Sequence, residues 1–437
     1  GAPRPGAGAG PPGAPPPPTA ASSGLAALAA DPATPPEPVS LYVHVPFCVS
    51  KCAYCDFYSQ AGGEGKYSAF VDAALFEAGH WSHYDLLDDV PTLYIGGGTP
   101  TVLGDDLVRL LRGLTETVRL RPGAEVTVET NPETTEAVLI AALMEAGANR
   151  FSLGVQSFDD EVLRTLGRCH DAERAREATR VLRDSGTPFS IDLICGVPGQ
   201  SDASWDATLE EAVSCGARHM SVYPLTLEEG TPLEVAVRAG KVPAPDPDEA
   251  ADMMLAAEVA LAAAGMPRYE VASYAQPGHE ARHNLVYWTG GSYLGVGPHA
   301  ASMLAFGQYR RAAEGEGWAL PPADAPAPAR ARFTREASLD DYLRTPLAAP
   351  GAVEFLTRDE VAREDAMLGL RTTSGIPQVE AESAGVSGVL ADLAKKGLVR
   401  AIKGPGGEAR WRTTEQGWLL GNTVFGAVWT AGQSSRP

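Results

Sequence analysis

The sequence predicts an α/β fold: a partial or complete (β/α) barrel, preceded by a disordered tail and followed by a small α+β domain of winged-helix-like order. Three observations lead there. Six short, nearly continuous apolar runs alternate with helical patterns between residues 41 and 264, the signature of a parallel sheet covered on both faces. A Pro- and Ala-rich stretch breaks that pattern near 315–333. Beyond 357 the order changes to helix, helix, strand, strand, helix.

Taken in order, residues 1–38 are mostly Pro, Ala and Gly with almost no charge, so they cannot bury enough apolar surface to order themselves. Their LAALAA run has no charged segment before it and none of the Arg and Ser content of a transit peptide, so export is not signalled. The barrel is expected over 39–305. Its strands are read at LYVHV (41–45), TLYIGGG (92–98), EVTVET (125–130), RFSLGVQS (150–157), FSIDLICG (189–196) and HMSVYPLT (219–226). Helices are read near 104–118, 134–146, 171–185, 202–214 and 248–264. Residues 306–350, with GEGWALPPADAPAPARARF inside them, read as a linker or long loop. The second domain follows at 351–437, with helices in TRDEVAREDAMLGLR and SGVLADLAKKG and strands in LVRAI and ARWRT.

With 437 residues, 44% of them hydrophobic, the chain is too long and too apolar for a disordered tail or a miniprotein. No run approaches the ~18 apolar residues of a membrane helix, which excludes a spanning protein, while peripheral membrane contact stays compatible. A net charge of −20 repels phosphate backbones, so nucleic acid is not expected as a main partner. Cys48, Cys52 and Cys55 are clustered and Cys169, Cys195 and Cys215 scattered, the wrong layout for a disulfide framework. A reducing cytosol is the expected compartment, and the scattered three are expected as buried small hydrophobes.

The strongest chemical signal is Cys48-x-x-x-Cys52-x-x-Cys55, directly after the first strand. Three thiolates on one tight loop can each take one iron of a 4Fe-4S cubane and leave the fourth iron open. An open iron can be chelated by the amino and carboxylate groups of S-adenosylmethionine. The competing reading is a zinc site with His44 as fourth ligand. His44 lies inside the strand, a poor place from which to close a tetrahedron with a separate loop. A disulfide would leave one of the three thiols unpaired. The other polar residues fall at one end of the predicted barrel, the C-terminal strand ends where reactive groups gather. They are Gly96-Gly97-Gly98-Thr99, Glu129-Thr130-Asn131-Pro132, Gln156-Ser157, Asp192 with Gly196, and Tyr223. Each has a bland reading as a turn, a cap or a loop residue; their shared location argues for a site.

The motifs YVHVPFCVSKCAYCDFYS, YIGGGTPT, VETNPE, RFSLGVQSF, DLICGVPGQ, HMSVYPLTLEEGTPL, YEVASYA and RHNLVYW span about 40–300, and EDAMLGLRTTSGI follows in the C-terminal region. Together they resemble the radical SAM proteins of the oxygen-independent coproporphyrinogen III oxidase (HemN-like) group, and within it the HemW branch of haem chaperones. The resemblance implies a radical SAM partial barrel in which Cys48, Cys52 and Cys55 hold the cluster. It implies cofactor contacts from Tyr42, Tyr54, Gly97, Gly98, Thr99, Glu129, Gln156, Arg168 and Asp192. Arg168 rests on spacing alone, and a helix-surface arginine is its equal alternative.

Two departures separate the branches. The oxidase carries a further Cys two residues after the third ligand, where this chain has Asp56 and Phe57. The oxidase group also has a structured segment ahead of its first strand, where this chain has the Pro-rich tail. His283-Asn284-Leu285-Val286-Tyr287-Trp288 resembles the HNxxYW sequence associated with haem binding in the HemW branch. A neutral imidazole is a good axial iron ligand, and Tyr287 and Trp288 offer flat apolar surfaces for a porphyrin. Without the resemblance, His283 reads as a structural histidine beside a packed aromatic pair; His299 reads as a loop residue rather than a second ligand.

The implied function is a haem chaperone that binds haem, a 4Fe-4S cluster and S-adenosylmethionine and delivers haem to acceptor haemoproteins such as membrane respiratory enzymes. No catalytic residue is assigned, the chain is not expected to oxidise coproporphyrinogen, and a homodimer is compatible. The rival is a true coproporphyrinogen III oxidase, which decarboxylates porphyrinogen propionates and would make the three cysteines catalytic. A DNA-binding role for the C-terminal module is weak on charge, and a lid or partner surface is expected instead.

Overall fold

The computed structural model describes residues 37–431, so the tail expected over 1–38 lies, save its last two residues, outside the described residues. The six apolar runs form β1 Ser40–Val45, β2 Val90–Gly97, β3 Leu120–Thr130, β4 Arg150–Gln156, β5 Phe189–Cys195 and β6 His219–Pro224, all parallel and paired in sequence order. β4 is buried at every position because one face meets the helices and the other the barrel interior. The helices earn their places by period. In Asp105–Thr117 the buried residues Leu107, Leu110, Leu111 and Leu114 recur at i, i+3, i+4 and i+7. In Ala172–Ser185 the Asp171 carboxylate caps the first turn, and Gly186 at φ 76° ends the last in the left-handed region.

Five further strands extend the sheet. β7 Ser273–Ala275 runs antiparallel to β6; β8 Tyr293–Val296 runs parallel to β1; β9 Ala301–Ala305, β10 Pro328–Thr334 and β11 Val353–Thr357 follow antiparallel. The order is β11-β10-β9-β8-β1-β2-β3-β4-β5-β6-β7, eleven strands whose two ends do not pair. The barrel is therefore partial.

The linker expected over 306–350 is corrected. That segment holds the helix Phe306–Glu316, β10 and the helix Leu339–Arg344, and belongs to the main sheet. Its Pro and Ala content hid an alternating ARARF strand. Ala331 and Phe333 enter the core while Arg330 pairs with Asp365, and Arg332 with Glu354 and Glu364. Cys195 and Cys215 are buried as expected, but Cys169 is exposed, because its neighbour Arg168 turns inward and sends it out.

Beyond 357 come the helices Arg358–Gly369, Gln378–Ser383, Ser387–Lys395, Glu415–Leu419 and Gly421–Trp429 with a small three-stranded antiparallel sheet. This module has its own apolar core around Leu390, Val386 and Val424. It docks on the barrel through the buried Arg330–Asp365 pair, through Trp418 Nε1 donating to Val271 O at 2.8 Å, and through Arg268 lying 3.9 Å above the Trp418 ring.

One buried carboxylate ties several segments together. Glu77, on the helix Tyr67–Ser82, is fully buried and accepts from Gly297 N at 3.0 Å, Tyr342 Oη at 2.7 Å and Trp81 Nε1 at 3.3 Å, with Arg335 Nη2 at 3.0 Å. Burial pushes its pKa up, and the Arg335 cation and the donors offset only part of that.

Candidate functional site

The cysteine loop leaves β1 and is closed by a two-residue pairing of Phe47–Cys48 with Gln60–Ala61. It is held from three sides by backbone bonds: Ala53 N to Leu166 O, Leu233 N to Ala53 O, and Thr99 N to Phe47 O. Gly98 has to be glycine here, since a Cβ would lie 2.4 Å from the Phe47 carbonyl oxygen and 3.0 Å from Cys48 Sγ. Cys48 is buried, and Cys52 and Cys55 are half-buried. Arg168 reaches across to the loop. Its Nη1 donates to Cys52 Sγ at 3.4 Å, its Nη2 donates to Gly154 O at 2.9 Å, and its buried Nε has no partner among the described residues. Burial raises the Cys52 thiol pKa, and the Arg168 cation beside it offsets part of that rise.

In front of the loop lies a cavity of about 540 Å³. Its wall follows the two-residue period of the strands: Arg150, Ser152, Gly154 and Gln156 of β4 face in, while Phe151, Leu153 and Val155 pack in the core. On β3, Thr127 and Glu129 face in; on β5, Ser190 and Asp192; on β6, His219, Ser221 and Tyr223. Glu129 accepts from Tyr94 Oη at 2.6 Å and Gly97 N at 3.0 Å. Burial, with Asp192 nearby, pushes its carboxyl up to about 7. Burial also raises Asp192, against the bonds from Ser221 and Ser152 that lower it. Gln156 is held at φ 67°, a conformation costly for a side-chain-bearing residue. Asn131 Nδ2 donates to Thr99 Oγ1 at 2.7 Å.

Of the nine residues expected around the cofactor, Tyr54, Gly97, Gly98, Thr99, Glu129, Gln156, Arg168 and Asp192 line this cavity. Tyr42 does not. It lines a second chamber of about 830 Å³, beside the first and sharing Gly97 and Glu129 with it. That chamber is walled by Tyr42, Phe57, Tyr58, Tyr287 and Tyr293, with Lys51 and His299 at its edge. Sequence reading missed Arg150, Ser152, Ser190, His219 and Ser221. The signal was present, since polar residues occupy every second position of apolar strands, and those positions face the interior.

The His283 segment is helical, and its Tyr287 lines the aromatic chamber. The helix Arg282–Trp288 packs at the N-terminal half of the strands, where Arg282 N and His283 N donate to the two oxygens of Glu125 at 3.0 Å each. His283 is buried, with Nδ1 bonded to Thr92 Oγ1 at 2.8 Å and Nε2 to Tyr287 Oη at 2.9 Å, and its ring is stacked on Tyr94. Neither nitrogen is open to a metal in this arrangement. Trp288 turns away from the chamber toward Arg371 of the C-terminal module.

The residues fit an iron–sulfur cluster better than zinc. Both His44 nitrogens are taken, by Tyr42 Oη at 3.0 Å and Tyr58 O at 2.8 Å, so His44 cannot complete a tetrahedron. Among the described residues, no three His, Cys, Asp or Glu side chains converge as ligands of a single ion. Three unpaired thiols spread along one loop, with a buried cation against one of them and a polar cavity in front, suit a cluster that takes one iron per thiol. Such a cluster supplies an open iron for S-adenosylmethionine and an electron for its reductive cleavage. The protein would supply the walls: Gly97, Gly98, Glu129 and Asp192 line the cavity, where the two glycines would allow close approach and the two carboxylates would be acceptors for an ammonium or ribose hydroxyls.

An open parallel barrel with a three-cysteine loop at its C-terminal mouth defines a radical S-adenosylmethionine protein, and the Radical SAM superfamily model matches residues 42–212. The chain is 41% identical over 274 residues to "Heme chaperone HemW" of Mycobacterium tuberculosis, covering 61% of this chain and 70% of that protein. It is 31% identical over 403 residues to the Bacillus subtilis protein of the same name, covering 89% of this chain and 98% of that one. Coproporphyrinogen III oxidase (HemN) from Escherichia coli shares the fold, with a TM-score of 0.72 and 24% identity over 93% of this chain and 92% of that one. Within the radical S-adenosylmethionine class, the chain belongs to the HemW family.

Proposed function

We propose that this protein is a haem chaperone: it binds haem beside a 4Fe-4S cluster with S-adenosylmethionine and hands the haem to acceptor haemoproteins, respiratory enzymes at the membrane among them. One observation carries the reading. An aromatic-walled chamber large enough for a flat macrocycle adjoins the cysteine-loop cavity, and the two share Gly97 and Glu129. Tyr and Phe faces suit a porphyrin plane, and Lys51 supplies a cation for a propionate. Phe57, 62% exposed where the oxidase carries its extra cysteine, adds an apolar ring to the mouth. No described helix is long and apolar enough to cross a membrane.

The test is anaerobic. Cluster-reconstituted protein is loaded with haem and mixed with an apo-haemoprotein, and the acceptor's absorption is followed. In parallel, the same sample receives S-adenosylmethionine, a reductant and coproporphyrinogen. Transfer of haem without porphyrin product is the expected result; catalytic product would make the protein an oxidase. The triple variant Cys48→Ala, Cys52→Ala, Cys55→Ala is expected to lose its iron content and to transfer haem more slowly. Unchanged transfer would separate the cluster from cargo handling.

A further inference from the structure

His299 differs from every other histidine of the chain. Of the eight, seven have a ring nitrogen in a hydrogen bond; the His299 ring has none among the described residues. Instead it stacks on Tyr58 with centroids 3.9 Å apart and planes 17° from parallel. It also lines the aromatic chamber. An imidazole held by one flat face keeps both nitrogens available to a ligand.

Its backbone points the same way. His299 sits at φ 58°, one of three described non-glycine residues in the left-handed region, another being Gln156 in the adjoining cavity. That conformation is costly for a residue that carries a side chain and persists only where the surroundings impose it. Here they do: His299 N donates to Arg335 O at 2.7 Å, Arg335 N to Ala300 O at 3.2 Å, and Gly297 N to the buried Glu77 at 3.0 Å. The turn follows the C-terminal end of β8, which runs parallel to β1, so it lies at the same mouth as the cysteine loop. His283, by contrast, is packed toward the other end of the strands with both nitrogens engaged.

We propose that His299, rather than His283, is the residue that takes the haem iron as an axial ligand, with the macrocycle lying in the aromatic chamber. A neutral imidazole is the common protein ligand of haem iron, and one presented on a fixed turn binds without first giving up a hydrogen bond. This rests on the haem reading above.

The test is haem titration of the full chain, read by the Soret band and by the iron–histidine stretch in the resonance Raman spectrum of the ferrous form. His299→Gly removes the imidazole at a backbone angle glycine prefers, so the variant is expected to fold, and His299→Asn is a second variant that tolerates that angle. His283→Gln keeps a donor and an acceptor for Thr92 and Tyr287. Wild type and His283→Gln are expected to show the iron–histidine line. Both His299 variants should lose it, with affinity at least tenfold weaker, and added free imidazole should restore the spectrum of His299→Gly. Persistence of the line in the His299 variants, or its loss in His283→Gln alone, would overturn the proposal. Failure of wild type to take up haem would remove the haem reading itself, and this assignment with it.

Discussion

At the residue scale, Glu129 shows how a cavity is held ready for a cation. Its carboxyl sits at about 7 against an ordinary 4.5, chiefly because it is buried, so the folded chain keeps a proton that the unfolded chain releases. The stabilisation this gives is present below pH 4.5 and is lost as pH rises through 7, at about 1.4 kcal/mol per unit in between. Glu129→Gln can accept from Gly97 N and donate to Tyr94, and it has no proton to lose. The protein without cofactor should therefore melt higher for the Gln variant than for wild type at pH 8, with the gap closing toward pH 5. Calorimetry at the two pH values checks it. Binding of S-adenosylmethionine, with its ammonium, should weaken by about tenfold or more in the same variant, the loss of roughly one charge-assisted hydrogen bond. A variant that melted higher and bound equally well would show that Glu129 is structural.

At the element scale, the helix Arg282–Trp288 closes the interior from below. It is only seven residues long and owes its place to the Glu125 carboxylate at its first two N–H groups and to the His283 ring against Tyr94. Burial pushes the His283 pKa down to about 3, so the folded state refuses a proton that the unfolded state takes up near 6.5. Stability should therefore fall as pH drops below 6.5, by about 1.4 kcal/mol per unit from this group. His283→Gln should shift the acid-unfolding midpoint to lower pH; an unmoved midpoint would mean the ring is hydrated in solution.

The same helix marks how far the sequence could be read. The six parallel strands and the cysteine loop were legible because apolar runs and a three-thiol motif are local signals. So were the glycines and carboxylates at the strand ends, because a parallel sheet sends every C-terminus to one face. The partners of His283 were not: Thr92 and Glu125 are far away in sequence, and nothing in HNLVYW says which way the imidazole faces. β10 escaped for another reason, since its inward Ala and Phe positions are masked by flanking prolines and by arginines whose acidic partners lie in other segments.

At the scale of the whole molecule, two cores are joined by a few polar fasteners. Arg330 and Asp365 face each other as a bidentate pair at 2.5 and 3.0 Å, both nearly buried. Removing one partner strands a buried charge, so Asp365→Ala should cost on the order of 3–5 kcal/mol. The loss should fall on docking rather than on either core. Scanning calorimetry is expected to resolve two transitions in the variant where wild type gives one. A single, uniformly lowered transition would mean the C-terminal module has no stability of its own. With a net charge of −20, the remaining surface favours solubility and disfavours acidic partners.

The Glu77 carboxylate joins a helix near the start of the barrel to Gly297, Arg335 and Tyr342, residues contributed by three later segments. Through these contacts the four positions act as one unit. A chimaera that took residues 293–300 from a relative with a different side chain at position 77 would carry every atom of the turn and still aim His299 wrongly. Exchange of 77, 335 and 342 alongside it would be needed to put the ring back over Tyr58.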